Sequence, residues 1–81
     1  MGKQLYNKQR ERFRTTIKQV RLDAGLTQVE LADKLKRHQS YVSDYERGHR
    51  RLDWVAIEEV LVACQTNLVH FSKWYLAGGP K

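Results

Sequence analysis

Thr27-Gln28-Val29-Glu30-Leu31-Ala32-Asp33-Lys34-Leu35, then Lys36-Arg37-His38, then Gln39-Ser40-Tyr41-Val42-Ser43-Asp44-Tyr45-Glu46-Arg47, is the stretch whose reading decides the fold. Thr27 is a good N-cap, and Glu30 three positions on completes a capping box, so a helix starts here. Leu31, Ala32 and Leu35 give it an inner face. Lys36-Arg37-His38 breaks the apolar pattern and reads as a short turn. A second short helix follows from Gln39 to about Arg47, and Gly48 supplies its stop. Val42 and Tyr45 lie about one turn apart and can bury together, which turns Ser40, Ser43, Asp44 and Arg47 to the opposite side. Two helices joined this tightly must approach closely where they cross, and Ala32 is small enough to allow it.

Working outward, residues from about Lys8 to Ala24 carry an apolar stripe at Phe13, Ile17, Val20 and Ala24 on one helical face, closed by Gly25. Beyond the basic loop His49-Arg50-Arg51, Asp53 caps a helix through Cys64, with Val55, Ile57, Val60 and Leu61 among its apolar residues. Asn67 caps a last short helix carrying Leu68, Phe71 and Trp74. No strand-like alternation or internal repeat is present. The sequence therefore predicts an all-α, five-helix domain over 8–76, an N-terminal arm over 1–7 that is flexible, and a fraying tail over 77–81.

Composition narrows the function. The chain has 81 residues, enough for one domain, with 15 Lys+Arg against 9 Asp+Glu, a net charge of +6. That balance favours an anionic partner such as nucleic acid or a membrane surface. The single cysteine, Cys64, excludes an intramolecular disulfide and fits a reducing cytoplasm; in Val60-Leu61-Val62-Ala63-Cys64 it reads as a small core residue. That run is too short for a bilayer, and the N-terminus lacks the apolar segment of a secretory signal. His38, His49, His70 and Cys64 have no zinc spacing, no glycine-rich phosphate loop occurs, and His38, Ser40, Ser43 and Asp44 fall on one surface helix without a nucleophile elbow. Catalysis, metals and cofactors are not expected.

Gly25-Leu26-Thr27-Gln28, Leu31-Ala32, Gln39-Ser40-Tyr41-Val42-Ser43 and Tyr45-Glu46-Arg47-Gly48 together resemble the Cro/phage-repressor-type, or Xre-type, helix-turn-helix family, from Phe13 to about Trp74. The resemblance implies a compact lambda-repressor-like DNA-binding domain, bacterial or phage-encoded, with its motif at about 27–47. Its second motif helix would enter the major groove. By position, Gln39, Ser40 and Asp44 would face the bases, and Ser43 a base or a phosphate. A glutamine amide suits adenine; Asp44 suits cytosine N4, or alternatively pairs with Arg47 at i+3. Gln28, at a helix N-terminus, and the rim of Arg37, His38, Arg47, His49, Arg50 and Arg51 would contact phosphates. The positions of Arg21 and Glu46 would form an ion pair that orients the recognition helix. The turn position usually held by glycine is Lys36 here, and Gln65 likewise stands where glycine is common.

The function implied is a sequence-specific double-stranded DNA-binding regulator, a repressor acting by occupancy of an inverted-repeat operator. It would act as a homodimer, with Trp74, Tyr75 and Leu76 offering a contact patch. No effector domain follows, so any signal would act through protein concentration or elsewhere. Two alternatives stay open: an antitoxin-type module that binds a toxin as well as DNA, and the controller of a restriction–modification system.

Overall fold

The structure, a computed structural model, describes residues 2–80, with side chains from Asn7 onward. Five helices make up the domain among the described residues: α1 (Gly2–Asp23), α2 (Gln28–Leu35), α3 (Gln39–Glu46), α4 (Trp54–Ala63) and α5 (Leu68–Leu76). The helix order expected from periodicity and caps is the one observed. The first helix starts at Gly2 rather than near Lys8; its leading turns, Gly2-Lys3-Gln4-Leu5-Tyr6-Asn7, carry no cap signal and no apolar stripe, so the pattern alone gave no start. Of the arm expected over 1–7, Met1 and the side chains up to Tyr6 lie outside the described residues.

The helix starts are written in single residues. Thr27 Oγ1 accepts from Glu30 N at 3.1 Å, and Glu30 Oε1 accepts from Thr27 N at 2.8 Å, so the capping box is complete. Those hydrogen bonds hold the Glu30 carboxyl below its ordinary pKa. Asp53 and Asn67 accept from Ala56 N and His70 N at 2.8 and 2.9 Å. His38 is the N-cap of α3 but makes no side-chain cap bond.

All five helices end in the same Schellman geometry, a residue of positive φ flanked by two crossed backbone bonds. Gly25, Gly48 and Gly78 hold three of these positions, and Lys36 (φ 57°) and Gln65 (φ 62°) hold the other two. Thus the two positions where glycine was missing from the sequence pattern keep the glycine geometry, at a cost of roughly 1–2 kcal/mol each for an L side chain. At α2, Arg37 N reaches Ala32 O at 2.9 Å and Lys36 N reaches Asp33 O at 3.1 Å. This fixes the turn that sets α3 against α2. At α5, the tail residues Gly78 and Gly79 form the cap. A side chain at Gly79 would collide with the Thr16 hydroxyl, so the tail packs on α1 as far as Gly79.

The core gathers Ile17 and Val20 from α1, Leu31 and Ala32 from α2, Val42 and Tyr45 from α3, Val60, Leu61 and Cys64 from α4 and its cap, and Phe71 from α5. Ala24, read as the end of the α1 stripe, is exposed because it lies past the helix. Ala32 is 1% exposed in the core, on the helix that packs against both α3 and α4, where a larger side chain would strain the packing. Phe13 meets Phe71 edge-to-face at 5.8 Å and ties α1 to α5. The result leaves α3 on the outside of the bundle, with its inner face packed against α1 and α2.

Candidate nucleic-acid interface

The outer face of α3 begins at Gln39. Its amide Nε2 donates to Gln28 Oε1 at 2.8 Å. Gln28 Nε2 in turn donates to Glu46 Oε1 at 3.0 Å. Glu46 accepts from Arg21 twice, at 2.7 Å from Nε and 3.1 Å from Nη2, and Arg21 Nη1 reaches Leu26 O at 2.8 Å. The Arg21–Glu46 pair is buried, with side chains 8% and 3% exposed. The Glu46 hydrogen bond raises the Arg21 pKa, outweighing burial, which lowers it. One chain of hydrogen bonds therefore runs from the centre of the domain, through both ends of α3, to the exposed amide of Gln39. The expected Arg21–Glu46 ion pair is present. The two glutamine links were not anticipated, since Gln28 and Gln39 are 11 positions apart and nothing local marks them as partners.

Ser40 is exposed beside Gln39, and Ser43 and Asp44 are half-buried further along α3. Asp44 Oδ1 lies 3.6 Å from Arg47 Nη2, the i+3 pairing that was the alternative to a base contact. The contact is long and solvated, so it contributes little to stability and leaves the carboxylate able to exchange partners. Arg47 is the C-cap of α3 and exposed.

The basic rim forms two banks. Arg37 and His38 lie in the turn before α3, and His49, Arg50 and Arg51 in the loop after it; all five are exposed. Tyr41 joins the banks. The Arg37 guanidinium lies 4.6 Å from its ring centroid and that of Arg50 5.2 Å, close enough for cation–π attraction. Tyr41 also packs edge-to-face on Tyr45 at 5.7 Å, which anchors this aromatic post in the core. Nothing local in the sequence marks this role, because the two arginines it joins come from separate segments on either side of α3. Tyr45 itself is 1% exposed, its hydroxyl is buried without a hydrogen-bond partner among the described residues, and burial pushes its pKa far up.

A packed helix pair, a fixed tight turn and an externally mounted helix with a polar face between two cationic banks are the parts of a helix-turn-helix. The family described as Helix-turn-helix domain matches residues 12–73. An XRE-family like protein from Pseudomonas syringae pv. tomato str. DC3000 superposes with a TM-score of 0.86 at 30% identity, over 98% of this chain and 96% of that one. The chain belongs to the Xre/Cro-type helix-turn-helix family. The wild-type restriction–modification controller protein C.Esp1396I is also similar, with a TM-score of 0.79 at 27% identity over 86% of this chain and 92% of that one. The same controller, solved as a tetramer with its natural 35 base-pair operator, gives 0.78 at 27% identity with the same coverage. No curated protein matches the chain significantly.

Membership of the Xre/Cro-type family makes this chain a DNA-binding helix-turn-helix regulator rather than an enzyme. Among the described residues no group of three or more His, Cys, Asp or Glu could hold a metal ion, and no helix is long and apolar enough to cross a membrane.

Proposed function

We propose that this Xre/Cro-type protein reads a specific double-stranded DNA operator with α3 and represses transcription by occupying it. The observation that carries this reading is the hydrogen-bond chain ending at Gln39. One amide hydrogen of Gln39 is used on Gln28. That leaves the second hydrogen and Oε1, the donor–acceptor pair that matches adenine N7 and N6–H in the major groove. Ser40 beside it, with Ser43 and Asp44 further along, completes the base-facing set. Gln28 retains one amide hydrogen and sits at the N-terminus of α2, where an anion is favoured. Gln28 and the banks Arg37–His38 and Arg47–His49–Arg50–Arg51 contact phosphates and fix the register.

The protein acts as a homodimer on an inverted repeat, with half-sites roughly 34–36 Å apart. Of the patch read from sequence, Trp74 and Tyr75 are half-buried, whereas Leu76 is 74% exposed. Trp54, 66% exposed at the start of α4, joins Leu76 beside an apolar groove between α4 and α5. A second copy covering this groove would remove both from water. The similarity to C.Esp1396I favours a controller role within this reading; adjacent endonuclease and methyltransferase genes would support it. The antitoxin role has no such support, and its sign would be a small protein that copurifies.

Selection of bound duplexes from a random library at about 0.15 M salt tests the reading, because non-specific binding is weak there. An inverted repeat is expected, losing its adenine preference in Gln39→Ala at a cost of about 1–3 kcal/mol. Leu76→Glu is expected to sediment as a monomer and to select single half-sites. Failure of the parent protein to enrich any sequence would overturn the proposal.

A further inference from the structure

Three side chains meet between the turn before α3 and the loop after it. Backbone bonds hold both segments: Arg37 N donates to Ala32 O at 2.9 Å, and His49 N to Asp44 O at 2.8 Å. Arg37 and Arg50 are exposed, and neither forms an ion pair among the described residues. A long exposed arginine samples many rotamers, and ordering it opposes binding. Here both guanidiniums lie on one ring, 4.6 and 5.2 Å from the Tyr41 centroid. The ring is itself fixed, half-buried and edge-to-face on the core residue Tyr45 at 5.7 Å.

A guanidinium has two usable surfaces. Its face is attracted to a ring quadrupole, while its in-plane N–H fork stays able to donate to oxygen anions. The two cations are within about 10 Å of one another, because each lies within 5.2 Å of the same centroid. Duplex charge recurs about every 1.7 Å along the axis, so guanidiniums this close face neighbouring phosphates. We propose that Tyr41 is a positioning residue for DNA binding: its ring holds Arg37 and Arg50, from the two ends of α3, as one phosphate clamp. This role rests on the DNA reading above and adds to it a residue that acts through arginines and not on a base. Each ring contact at an exposed site is worth a factor of about two to five, so loss of both weakens binding about tenfold. Because the clamp grips phosphates, that loss is the same for every base sequence.

The test measures the Kd of the full chain for its selected operator and for single-base variants of that operator, at about 0.15 M salt. Tyr41→Leu, which removes the ring, should bind all of them about tenfold more weakly, whereas Tyr41→Phe, which keeps it, should stay within about twofold of the parent. Added to an Arg37→Gln/Arg50→Gln background, Tyr41→Leu should change the Kd by less than about twofold. Arg37→Lys/Arg50→Lys leaves Tyr41 in place, so it serves even if Tyr41→Leu does not fold. It keeps both charges but gives up the planar fork that stacks on a ring, and should also bind about tenfold more weakly. A Tyr41→Leu protein that reorders the preference among base variants has a tilted α3, which overturns the proposal. So does a tenfold loss in the background without the arginines, parental affinity in Tyr41→Leu or in the double lysine variant, or a Tyr41→Phe protein as weak as Tyr41→Leu, which would place the hydroxyl on the DNA. NMR without DNA checks the geometry separately. The δ-methylene protons of Arg37 and Arg50 should stand upfield of their unfolded positions through the ring current, in the parent and in Tyr41→Phe but not in Tyr41→Leu. Unshifted protons in the parent overturn the clamp whatever the DNA result. A parent with shifted protons that enriches no operator overturns the DNA reading, and this role with it.

Discussion

Arg21 and Glu46 lie where stability and recognition meet, and their replacement separates the two. In Arg21→Met the Glu46 carboxylate stays buried, 3% exposed, with the Gln28 amide as its remaining donor. Breaking a buried pair from one side costs about 3–5 kcal/mol. A domain of this length has roughly 4–12 kcal/mol in all, at about 0.05–0.15 kcal/mol per residue, so this variant should lose a quarter of its stability or more. Glu46→Leu should cost a similar amount, since it strands the guanidinium. The double variant Arg21→Met/Glu46→Leu removes both charges and fills the space with apolar atoms. It should lie within about 1–2 kcal/mol of the parent, the residue of that cost coming from the Leu26 carbonyl that loses its donor. Urea denaturation followed by circular dichroism at neutral pH measures all four proteins, and the coupling energy, the two single costs less that of the double variant, should be about 4–9 kcal/mol. Yet the folded double variant should still bind operator about tenfold more weakly, because Gln28 loses the acceptor that aims it and, through it, Gln39. Single variants costing under about 1 kcal/mol would mean that the pair is effectively solvated. A double variant as unstable as the worse single would refute mutual compensation, and one with parental operator affinity would refute the relay to Gln39.

Two further outcomes follow from local geometry. Gln65→Gly should stabilise the fold by about 0.5–1 kcal/mol, since relief of a left-handed side chain outweighs the extra backbone entropy, and thermal unfolding should rise by a few degrees; a lower midpoint would show that Gln65 makes a compensating contact. The Cys64 thiol is pushed up by burial, so less of it is thiolate at neutral pH and its sulfur is shielded by the core. A disulfide reagent at about pH 7.5 should modify the native protein only as fast as it unfolds and the urea-unfolded chain at once. Equal rates in both states would place the thiol at the surface.

The sequence alone determined the parts of this fold that depend on near neighbours. A cap needs a side chain and an amide three residues away, as at Thr27–Glu30, Asp53–Ala56 and Asn67–His70, and a helical face needs only a period, as at Ile17, Val20, Val42 and Tyr45. Those local rules placed five helices; the family resemblance added the Arg21–Glu46 pair, which the structure contains, and the α3 residues proposed above to face DNA. The start of α1 escaped because its leading turns follow no cap and show no stripe.

What lies between distant segments was decided only by tertiary packing. The aim of Gln39 depends on Gln28 and, beyond it, on Glu46, at separations of 11 and 18 residues. Tyr41 joins two arginines that flank α3, and Arg14 meets the loop after α3 only because α1 crosses behind it. Trp74 and Tyr75 looked alike to Leu76 in sequence, yet Leu76 alone stays mainly in water. Side chains of this size bury or protrude according to which neighbour arrives from elsewhere in the chain, and a hydrogen bond or a cleft between helices has no signature until those helices are packed.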